Sequence, residues 1–593
     1  MYYIHYYTSQ SAHTEDYKRD VFGVGVGKYE EPWVDLVAET EEVHYNLPPY
    51  DWSKQPLTVK FYNRGRFTFP NNPVSYSVDN GATWKTLEAN KLSPYINYGQ
   101  YVMLKGTMKM TSYGGVGRFS ASTKYDVMGN PYSLLFGDSF AEVTDLSEKE
   151  TAFQQLFSGS TGLTSAENLS LPATTLSNNC YGKMFADCTS LKVAPRIIPV
   201  TTMSPSAYTS MFSGCTSLTT APELPATTLA NNCYASMFKG CTSLTTAPEL
   251  PATTLAQGCY SSMFSGCTSL TAAPALPATT LAVSCYSSMF YGCNSLTMAP
   301  ALPATTLAGS CYFNMFSYCT SLTKAPELPA TTLAGGCYSC MFYCCNSLAM
   351  APVLPATTLA SKCYDRMFVG CDSLITAPEL PATTLASECY NSMFEGCDSL
   401  TNAPVLPATT LIQYCYRYMF QNCVSLKIAP ALPATTLAQS CYQDMFKGCT
   451  SLTTPPELPA ATLFKECYEG MFQGCTSLTT APTLSATRLN VNCCGYMFYN
   501  CTSLTAAPTL SAAALVGNCY QYMFFGCTSL NYIKAMFTTT PSTSYTREWV
   551  SGVASSGTFV KNSVATWDVK GVNGIPTEWR VIDETGKDWV APS

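Results

Sequence analysis

The stretch PATTLAQGCYSSMFSGCTSLTAAP, residues 251–274, decides the fold, because closely similar stretches follow one another every 26 residues. Thirteen Met-Phe pairs mark this spacing without a slip, with a further copy at Met184 and a degraded one at Leu156. A fixed period in this range predicts a solenoid, in which each unit covers the apolar face of its neighbour. The thirteen pairs begin at Met211, Met237, Met263, Met289, Met315, Met341, Met367, Met393, Met419, Met445, Met471, Met497 and Met523.

Within one repeat, the apolar residues favour a helix followed by a strand. Six of them have the spacing of one helical face. Thr253 or Thr254 is a candidate N-cap, and Gly266 a candidate helix end. The prolines that follow restrict any parallel strand to a short Leu-Thr-Thr segment. The predicted fold class is therefore α/β, a modestly curved solenoid with a short helix and a short parallel strand per 26-residue rung. The six residues are Leu255, Cys259, Tyr260, Met263, Phe264 and Cys267.

The repeated pattern Met-Phe-x-x-Cys-x-Ser-Leu-Thr, followed by Leu-Pro, resembles the BspA-like leucine-rich repeats over about residues 150–535. This chain departs from the shorter BspA unit by an inserted Pro-Ala-Thr-Thr stretch. The resemblance implies a leucine-rich-repeat solenoid and a binding function, since members of that group are surface adhesins. Similar repeats occur in tail-associated proteins of phages from gut anaerobes. A likeness to binding proteins names no ligand.

The period divides the chain into four predicted parts. Residues 1–54 are a tyrosine-rich arm or attachment segment, and residues 55–148 a β-sandwich-like domain. The solenoid covers residues 149–535 with about 14 repeats. Residues 536–593 have lost the period and are expected to cap the last apolar face of the array.

The predicted β domain contains strand-like runs at 57–61, 66–69 and 101–104. Between two of its strands, Ser77-Val-Asp-Asn-Gly-Ala-Thr-Trp84 matches the Ser-x-Asp-x-Gly-x-Thr-Trp form of the Asp-box. This motif is similar to the hairpin turns of sialidase propellers, where it is structural and lies away from the chemistry. A single copy predicts a hairpin in a sandwich, with a sialidase as the lesser alternative.

Composition argues against two classes of partner. The net charge is −7, and no basic stripe exists to hold a phosphate backbone, so we expect no nucleic acid. The chain contains no run of ~18 apolar residues, so we expect no membrane insertion. The segment from Met1 to His5 lacks a basic region followed by an apolar stretch, so no secretory signal is expected.

Most of the thirty cysteines lie in two columns, four residues before and four residues after the repeated Met. Buried thiols packed as a ladder are the main interpretation, since both columns have core spacing. Disulfides between rungs and a zinc site remain alternatives, although zinc needs four converging ligands and the repeats contain no His. Cys340, Cys344 and Cys345 form the one local cluster.

No catalytic constellation is predicted, and neither is a metal or cofactor. All three histidines (His5, His13 and His44) lie in the first 45 residues, so a Ser-His-Asp or Cys-His arrangement has to reach across domains. An Asp/Glu pair of the glycosidase type is harder to exclude. The acidic residues of the array nevertheless change identity from copy to copy. We therefore expect that the protein is not an enzyme.

The candidate binding residues are those that vary on the outward positions around Met-Phe while the inner columns stay constant. Tyrosine is prominent among them, and its ring supplies amphipathic contact area for sugars or proteins at low entropy cost. Neutral drift on a solvated surface is the competing interpretation, and the threonine rows on the strand side are an alternative surface. The candidate residues are Tyr318, Tyr343, Arg366, Tyr414, Tyr418, Asp444, Tyr496, Tyr499 and Tyr522.

The sequence thus predicts a non-enzymatic recognition protein. The expected partners are a host cell-surface glycan or protein, with other virion proteins attached through the N-terminal region. The expected location is a phage virion, as a tail-associated receptor-binding protein. The alternatives are a bacterial surface adhesin, a glycan-degrading enzyme that uses the array as a binding module, and an intracellular protein-binding scaffold.

Overall fold

The computed structural model describes residues 51–110 and 115–590. The predicted arm therefore lies, up to Tyr50, outside the described residues, as do all three histidines. The described chain begins with a single turn of 3-10 helix at Trp52–Lys54. Within these ranges, no helix has the length and apolar character needed to cross a bilayer.

A sheet-rich region follows, and its strands agree with the runs predicted from the sequence. Six strands form a mixed sheet in the order β4-β3-β5-β1-β7-β8, and β2 pairs with β6 in a separate ribbon. The ribbon is much smaller than the main sheet, so the region is less symmetric than a sandwich of two similar sheets. The strands are β1 (Leu57–Phe61), β2 (Phe67–Thr68), β3 (Val74–Ser77), β4 (Lys85–Leu87), β5 (Tyr101–Lys105), β6 (Ser120–Ala121), β7 (Tyr125–Gly129) and β8 (Leu163–Leu169).

The Asp-box forms the predicted hairpin between β3 and β4. Asp79 accepts hydrogen bonds from the Ser77 hydroxyl at 2.7 Å and from the Thr83 amide at 2.9 Å. The hydrogen bond from the Thr83 hydroxyl, followed by those from the Ser77 hydroxyl and the Thr83 amide, lowers the pKa of Asp79 to about 2. Gly81 takes a φ of 86°, which supplies the left-handed turn. The side chains of the motif therefore stabilise their own turn.

The sheet continues into the repeats without a break. A short helix α1 (Ser133–Phe136) and a 3-10 turn (Gly137–Glu142) follow β7. Strand β8 then pairs in parallel with β7, although it lies within the range predicted for the array. The large sheet therefore joins the N-terminal region to the first repeats.

The helix predicted in each rung is wrong. Residues 149–535 contain no helix, and the segment from Gly258 to Cys267 in the type repeat is a succession of turns. Gly258, Ser262 and Gly266 have φ values of 58°, 55° and 75°, so every fourth residue is left-handed. A right-handed helix excludes such residues.

Backbone hydrogen bonds show why this turn segment replaces a helix. The amides of Ser261, Met263 and Ser265 donate to the carbonyl three residues earlier. The amides between them donate to the next repeat, as Ser262 does to the Ser287 carbonyl at 2.8 Å. A four-residue turn and a 3.6-residue helix both place apolar side chains at spacings of three and four, so the pattern alone could not separate them. Gly266 is one of the left-handed positions and does not end a helix.

The apolar columns are buried, as predicted. In the type repeat, Cys259, Met263, Phe264 and Cys267 are fully buried, and Tyr260 is 1% exposed. Equivalent rings of adjacent repeats stack face to face, with Phe264 and Phe290 centroids 5.7 Å apart. The bend expected from the sequence rested on helix axes ~8–10 Å apart. With turns in place of helices, that reason for curvature is absent.

On the opposite side of the repeats, the parallel strands are reduced to single bridges. One column is the predicted Leu-Thr-Thr segment, where Thr220 bridges Thr246. A second column, in which Thr254 bridges Thr280, occupies the Pro-Ala-Thr-Thr stretch. Thr254 is thus an exposed bridge residue and Thr253 an exposed bend residue beside it, and neither caps a helix.

Beyond the last Met-Phe pair, the C-terminal residues continue the stack. Strand β9 (Tyr532–Ala535) pairs in parallel with β10 (Thr558–Lys561), which pairs in parallel with β11 (Arg580–Asp583). Trp549 is fully buried, and its carbonyl accepts from the Phe524 amide at 2.8 Å, as a further Met-Phe carbonyl would. This segment therefore covers the apolar face of the final repeat.

Candidate functional site

The outward side chains of the turn segments form one surface, which we call the turn face. In each repeat three of its positions are left-handed, five residues before, one before and three after the Met of Met-Phe. Seven of the nine candidate residues occupy these positions with φ between 50° and 60°. They are Tyr318, Arg366, Tyr414, Tyr418, Asp444, Tyr496 and Tyr522.

Exposure differs among the candidates. Tyr318 and Arg366 are exposed, whereas Asp444 is only 8% exposed and so is less accessible than its outward position suggested. Gly470 in the next repeat lies over it: a Cβ on that glycine would be 2.3 Å from Asp444 Oδ1. The other candidates are half-buried, namely Tyr343, Tyr414, Tyr418, Tyr496, Tyr499 and Tyr522.

The first of three clusters on the turn face is a row of tyrosines. The ring of Tyr318 lies 5.3 Å from that of Tyr291 and 5.5 Å from that of Tyr343, centroid to centroid. Tyr291 was not among the predicted residues. Residues 25 or 27 positions apart are neighbours here, which a comparison of strict 26-residue columns does not reveal.

The second cluster has Arg417 between two tyrosines. Its guanidinium carbon is 4.4 Å from the ring centroid of Tyr418 and 5.5 Å from that of Tyr414. Arg417 also donates to the Tyr418 hydroxyl at 2.6 Å, and Gln439 donates to the Tyr414 hydroxyl at 3.1 Å. Both tyrosine rings are held in place by these contacts. Sequence reasoning missed Arg417.

The third cluster is aromatic and has a cation at its edge. Tyr496 stacks on Tyr522 with centroids 4.9 Å apart, and Tyr499 stacks on Phe525 at the same distance. The guanidinium carbon of Arg547 lies 5.7 Å from the Tyr522 centroid. Four rings from two adjacent repeats thus form one partly exposed surface.

A cavity of about 210 Å³ lies between the second and third clusters. It brings together Asp444 and Tyr496, which were predicted separately, and adds Glu469, which was not predicted. A cavity of this size is smaller than a typical drug-sized site of ~300–1,000 Å³, so it suits one ring or one side chain of a larger ligand. Its lining residues are Gln443, Asp444, Lys447, Glu469, Gly470, Gln473 and Tyr496.

The carboxylates of this cavity have unusual environments. Burial, followed by the nearby charges of Glu466 and Asp444, raises the pKa of Glu469 to about 7. It accepts a hydrogen bond from the Gln443 side-chain amide at 3.0 Å. Burial also raises the pKa of Asp444, although Lys447 lies 3.5 Å away and opposes that shift. Glu469 is therefore an acceptor whose charge varies near neutral pH.

The chemistry of the cavity suits a ligand with several hydroxyl or amino groups. Carboxylates accept hydrogen bonds from such groups, amides donate and accept, and the Tyr496 ring offers a flat apolar wall. Among the described residues, no group of three or more His, Cys, Asp or Glu side chains is arranged to hold a metal ion.

The cysteine columns lie beneath the turn face and not on it. All thirty cysteines are free thiols, and all except Cys340 and Cys344 are buried. In the second column each thiol donates to the carbonyl of a Phe in the preceding repeat, as Cys267 does to Phe238 at 3.1 Å. Burial raises the pKa of Cys267 to about 12. The interpretation of the two columns as buried thiols packed as a ladder is confirmed, and the hydrogen bond is an addition that the sequence did not reveal.

Comparison with known families identifies the repeats. A model described as BspA type leucine rich repeat region (6 copies) matches residues 182–323, 231–374, 311–453 and 432–546. Together these matches extend over more than half of the 593 residues. The chain belongs to the BspA type leucine-rich repeat family. No curated relative and no solved structure shows significant similarity to it. BspA type repeats are binding modules, and their presence is consistent with adhesion or recognition.

Proposed function

We propose that this member of the BspA type family is a non-enzymatic recognition protein, whose repeats form a solenoid that contacts a host cell-surface glycan or protein through the turn face. We further propose a phage virion as its location, with other virion proteins as partners of the N-terminal region. The observation that most supports this proposal is that large or charged side chains occupy left-handed backbone positions.

The conformational cost of these positions argues against neutral drift. An L-residue other than glycine in the left-handed region costs about 1–2 kcal/mol, least for Asn and Asp. Tyr418 has a φ of 57°, at the position where Ser262 has 55° in an earlier repeat and Gly470 has 61° in a later one. The backbone therefore accepts small residues there. A large, half-exposed side chain at such a site regains little from burial, which favours a role in contact.

The cavity gives the most specific point of contact. Tyr496 and Glu469 line it together, and tyrosine is one of the residue types that most often dominate binding energy. Loss of one such residue typically costs about 2 kcal/mol, which is roughly 30-fold in affinity.

Binding to surface-immobilised bacterial glycans and to intact bacterial cells tests this proposal. Tyr496→Ser and Glu469→Gln should each lower affinity by about tenfold or more. The matched control is Ser262→Ala, at the same repeat position but remote in sequence from the cavity. If neither glycans nor cells are bound, or if all three variants bind equally, the turn face is not the recognition surface.

The location is tested separately. Antibody labelling of purified virions should detect the protein on the particle. Detection only on bacterial cell envelopes would instead support the alternative of a surface adhesin.

A second candidate, a glycan-degrading enzyme, is favoured by one observation only. Glycosidases need one carboxylic acid that stays protonated and one carboxylate, and the cavity holds Glu469, whose pKa is near 7, together with Asp444. Release of reducing sugar from a bound glycan, abolished by Glu469→Gln, would support this alternative. Binding without release would support recognition alone.

A further inference from the structure

The sheet-rich region has a charge opposite to that of the chain as a whole. Residues 51–110 contain eight Lys and Arg residues and three Asp and Glu residues, whereas the whole chain has 32 and 39. Several of these cations lie beside exposed tyrosines. In the turn face, by contrast, none of the three clusters contains more than one cation.

Two chain segments bring these residues together. Gly65 and Ile96 exchange backbone hydrogen bonds of 3.0 and 2.8 Å, and Lys60 lies opposite Tyr101 in the β1–β5 ladder. Six side chains of these segments form what we call the basic tyrosine patch. They are Lys60, Arg64, Arg66, Tyr95, Tyr98 and Tyr101.

The rings of this patch are unusually accessible for large aromatic side chains. Tyr95, Tyr98 and Tyr101 are 56%, 78% and 49% exposed. The guanidinium carbon of Arg64 lies 4.0 Å from the Tyr95 centroid, and Lys60 Nζ lies 5.7 Å from that of Tyr101. Exposed aromatic groups on this scale mark interaction surfaces more often than structural ones.

Only some of the cations in the patch are used in contacts within the protein. Arg66 is tied down, since its Nε donates to the Ser93 carbonyl at 2.6 Å. Asp126, the carboxylate paired with Lys60 in the β1–β7 ladder, accepts hydrogen bonds from the hydroxyls of Tyr62 and Thr164, both at 2.5 Å. Arg64 is exposed, and no acidic side chain forms an ion pair with it among the described residues. The patch therefore carries a surplus of positive charge.

The sheet topology restricts the kind of partner. Strand β1 pairs with β5 and β7, and β5 pairs with β1 and β3, so neither has a free edge. An extended peptide cannot add to this sheet as another strand at the patch. Recognition there must use the faces of the rings and the planes of the guanidinium groups.

We propose that the basic tyrosine patch binds an acidic polysaccharide, meaning one whose sugar rings carry carboxylates. Guanidinium groups pair with carboxylates in a bidentate geometry, and tyrosine faces pack against the apolar faces of sugar rings. One segment supplies the cations and the other the rings, and they meet side by side, with Arg64 over Tyr95 and Lys60 near Tyr101. This arrangement fits a polymer whose sugar rings each carry a carboxylate. This site is separate from the turn face and extends beyond the proposed function.

The test uses the full-length chain and oligogalacturonate as the acidic probe, with neutral galacto-oligosaccharide, polyglutamate and a single-stranded oligonucleotide as comparisons. Oligogalacturonate should bind at least tenfold more tightly than the neutral sugar and more tightly than either other polyanion. Arg64→Gln and Tyr98→Ala should each weaken it about fivefold or more, the scale of one desolvated cation–ring or charge contact.

Lys85→Gln is the matched control, because Lys85 is an exposed cation of the same region and lies outside the patch. It should leave the affinity unchanged. Equal effects of Arg64→Gln and Lys85→Gln would reduce the interaction to net charge and overturn the proposal. So would tighter binding of polyglutamate or the oligonucleotide, no effect of Tyr98→Ala, or no binding of oligogalacturonate.

Discussion

Early repeats, meaning those between residues 206 and 292, and late repeats, from residue 318 onward, have the same backbone and different turn faces. The first copy, with Lys183 and Asp187 at left-handed positions, resembles the late repeats. Between residues 206 and 292, all twelve left-handed positions are Ser, Asn or Gly, residues that are small or tolerate such a φ. From residue 318 onward, the same columns contain bulky or charged residues. The stack of repeats therefore requires only small residues at the left-handed positions. The larger ones are Tyr318, Cys340, Cys344, Lys362, Arg366, Glu388, Tyr414, Tyr418, Asp444, Glu466, Tyr496 and Tyr522.

Both groups of repeats share a core of buried, protonated thiols. High pH should therefore lower the folding stability of both groups. Burial raises the pKa of Cys267 in an early repeat and of Cys449 in a later one to about 12, from 9.0. The stability associated with these thiols is complete below pH 9. Between about pH 9 and 12 only the unfolded chain loses these protons, so stability falls by up to about 1.4 kcal/mol per pH unit per thiol.

Circular dichroism across this pH range should show one cooperative loss of structure, with all repeats unfolding together. Retention of the folded signal at pH 12 would contradict a core of buried, protonated thiols.

Removing one ring of the Phe column should cost the same in both groups. Phe264 and Phe420 are each fully buried between stacked rings 5.6 to 5.7 Å away. Phe264→Ala and Phe420→Ala should each lower the free energy of unfolding by about 3–5 kcal/mol. Denaturant unfolding measures both. A difference of about 2 kcal/mol or more would show that the late repeats are packed differently.

Replacing a large late residue by glycine should stabilise the protein. Arg366 is exposed with a φ of 53°. Arg366→Gly removes about 1–2 kcal/mol of backbone strain and returns about 0.4–1 kcal/mol through a more flexible unfolded chain, which leaves a gain of about 0.5–1 kcal/mol.

The control for this substitution is Glu395→Gly, on the same face but at a position with ordinary φ. It should destabilise the protein by about 0.5–1 kcal/mol. If thermal unfolding shows that Arg366→Gly also destabilises it, the arginine serves the fold and the comparison between early and late repeats fails.

The smallest expected effect concerns Glu469, which has no counterpart in the early repeats. Its raised pKa means that folding favours the protonated form, so its contribution to stability is complete below pH 4.5 and is lost as pH rises through about 7. Because the side chain is partly exposed, solvent reduces the effect. Glu469→Gln should therefore raise the melting temperature slightly at pH 8 and not at pH 4. An equal shift at both pH values would contradict a titrating carboxylate in the cavity.

The sequence predicted the core far better than the surface. Met263, Phe264 and Cys267 were assigned to the interior because apolar residues recurring with a fixed period have to cover one another. The helix prediction failed because these spacings fit a four-residue turn equally well. The decisive signal was the Gly, Ser or Asn at 258, 262 and 266, a four-residue period of residues that tolerate positive φ.

The candidate site was predictable only in part. Tyr496 and Asp444 were recognised as variable outward residues, but their meeting at one cavity, which Glu469 completes, was not predicted. Arg417 was missed because its contacts with the rings of Tyr414 and Tyr418 depend on the turn backbone, which the sequence did not predict. The contacts run between residues about 25 to 27 apart, so they follow the hydrogen-bond register of the stack, which a fixed 26-residue alignment does not contain.

The most direct measurement exchanges the late turn face for the early one in a single variant, Arg366→Ser, Tyr418→Ser, Asp444→Ser, Tyr496→Ser and Tyr522→Ser. Its thermal stability and its binding to the glycans and cells bound by the unmodified protein are then measured together. The account predicts a folded variant whose binding is lost. A folded variant that binds as well as the original would show that the large residues of the late repeats are not the recognition surface.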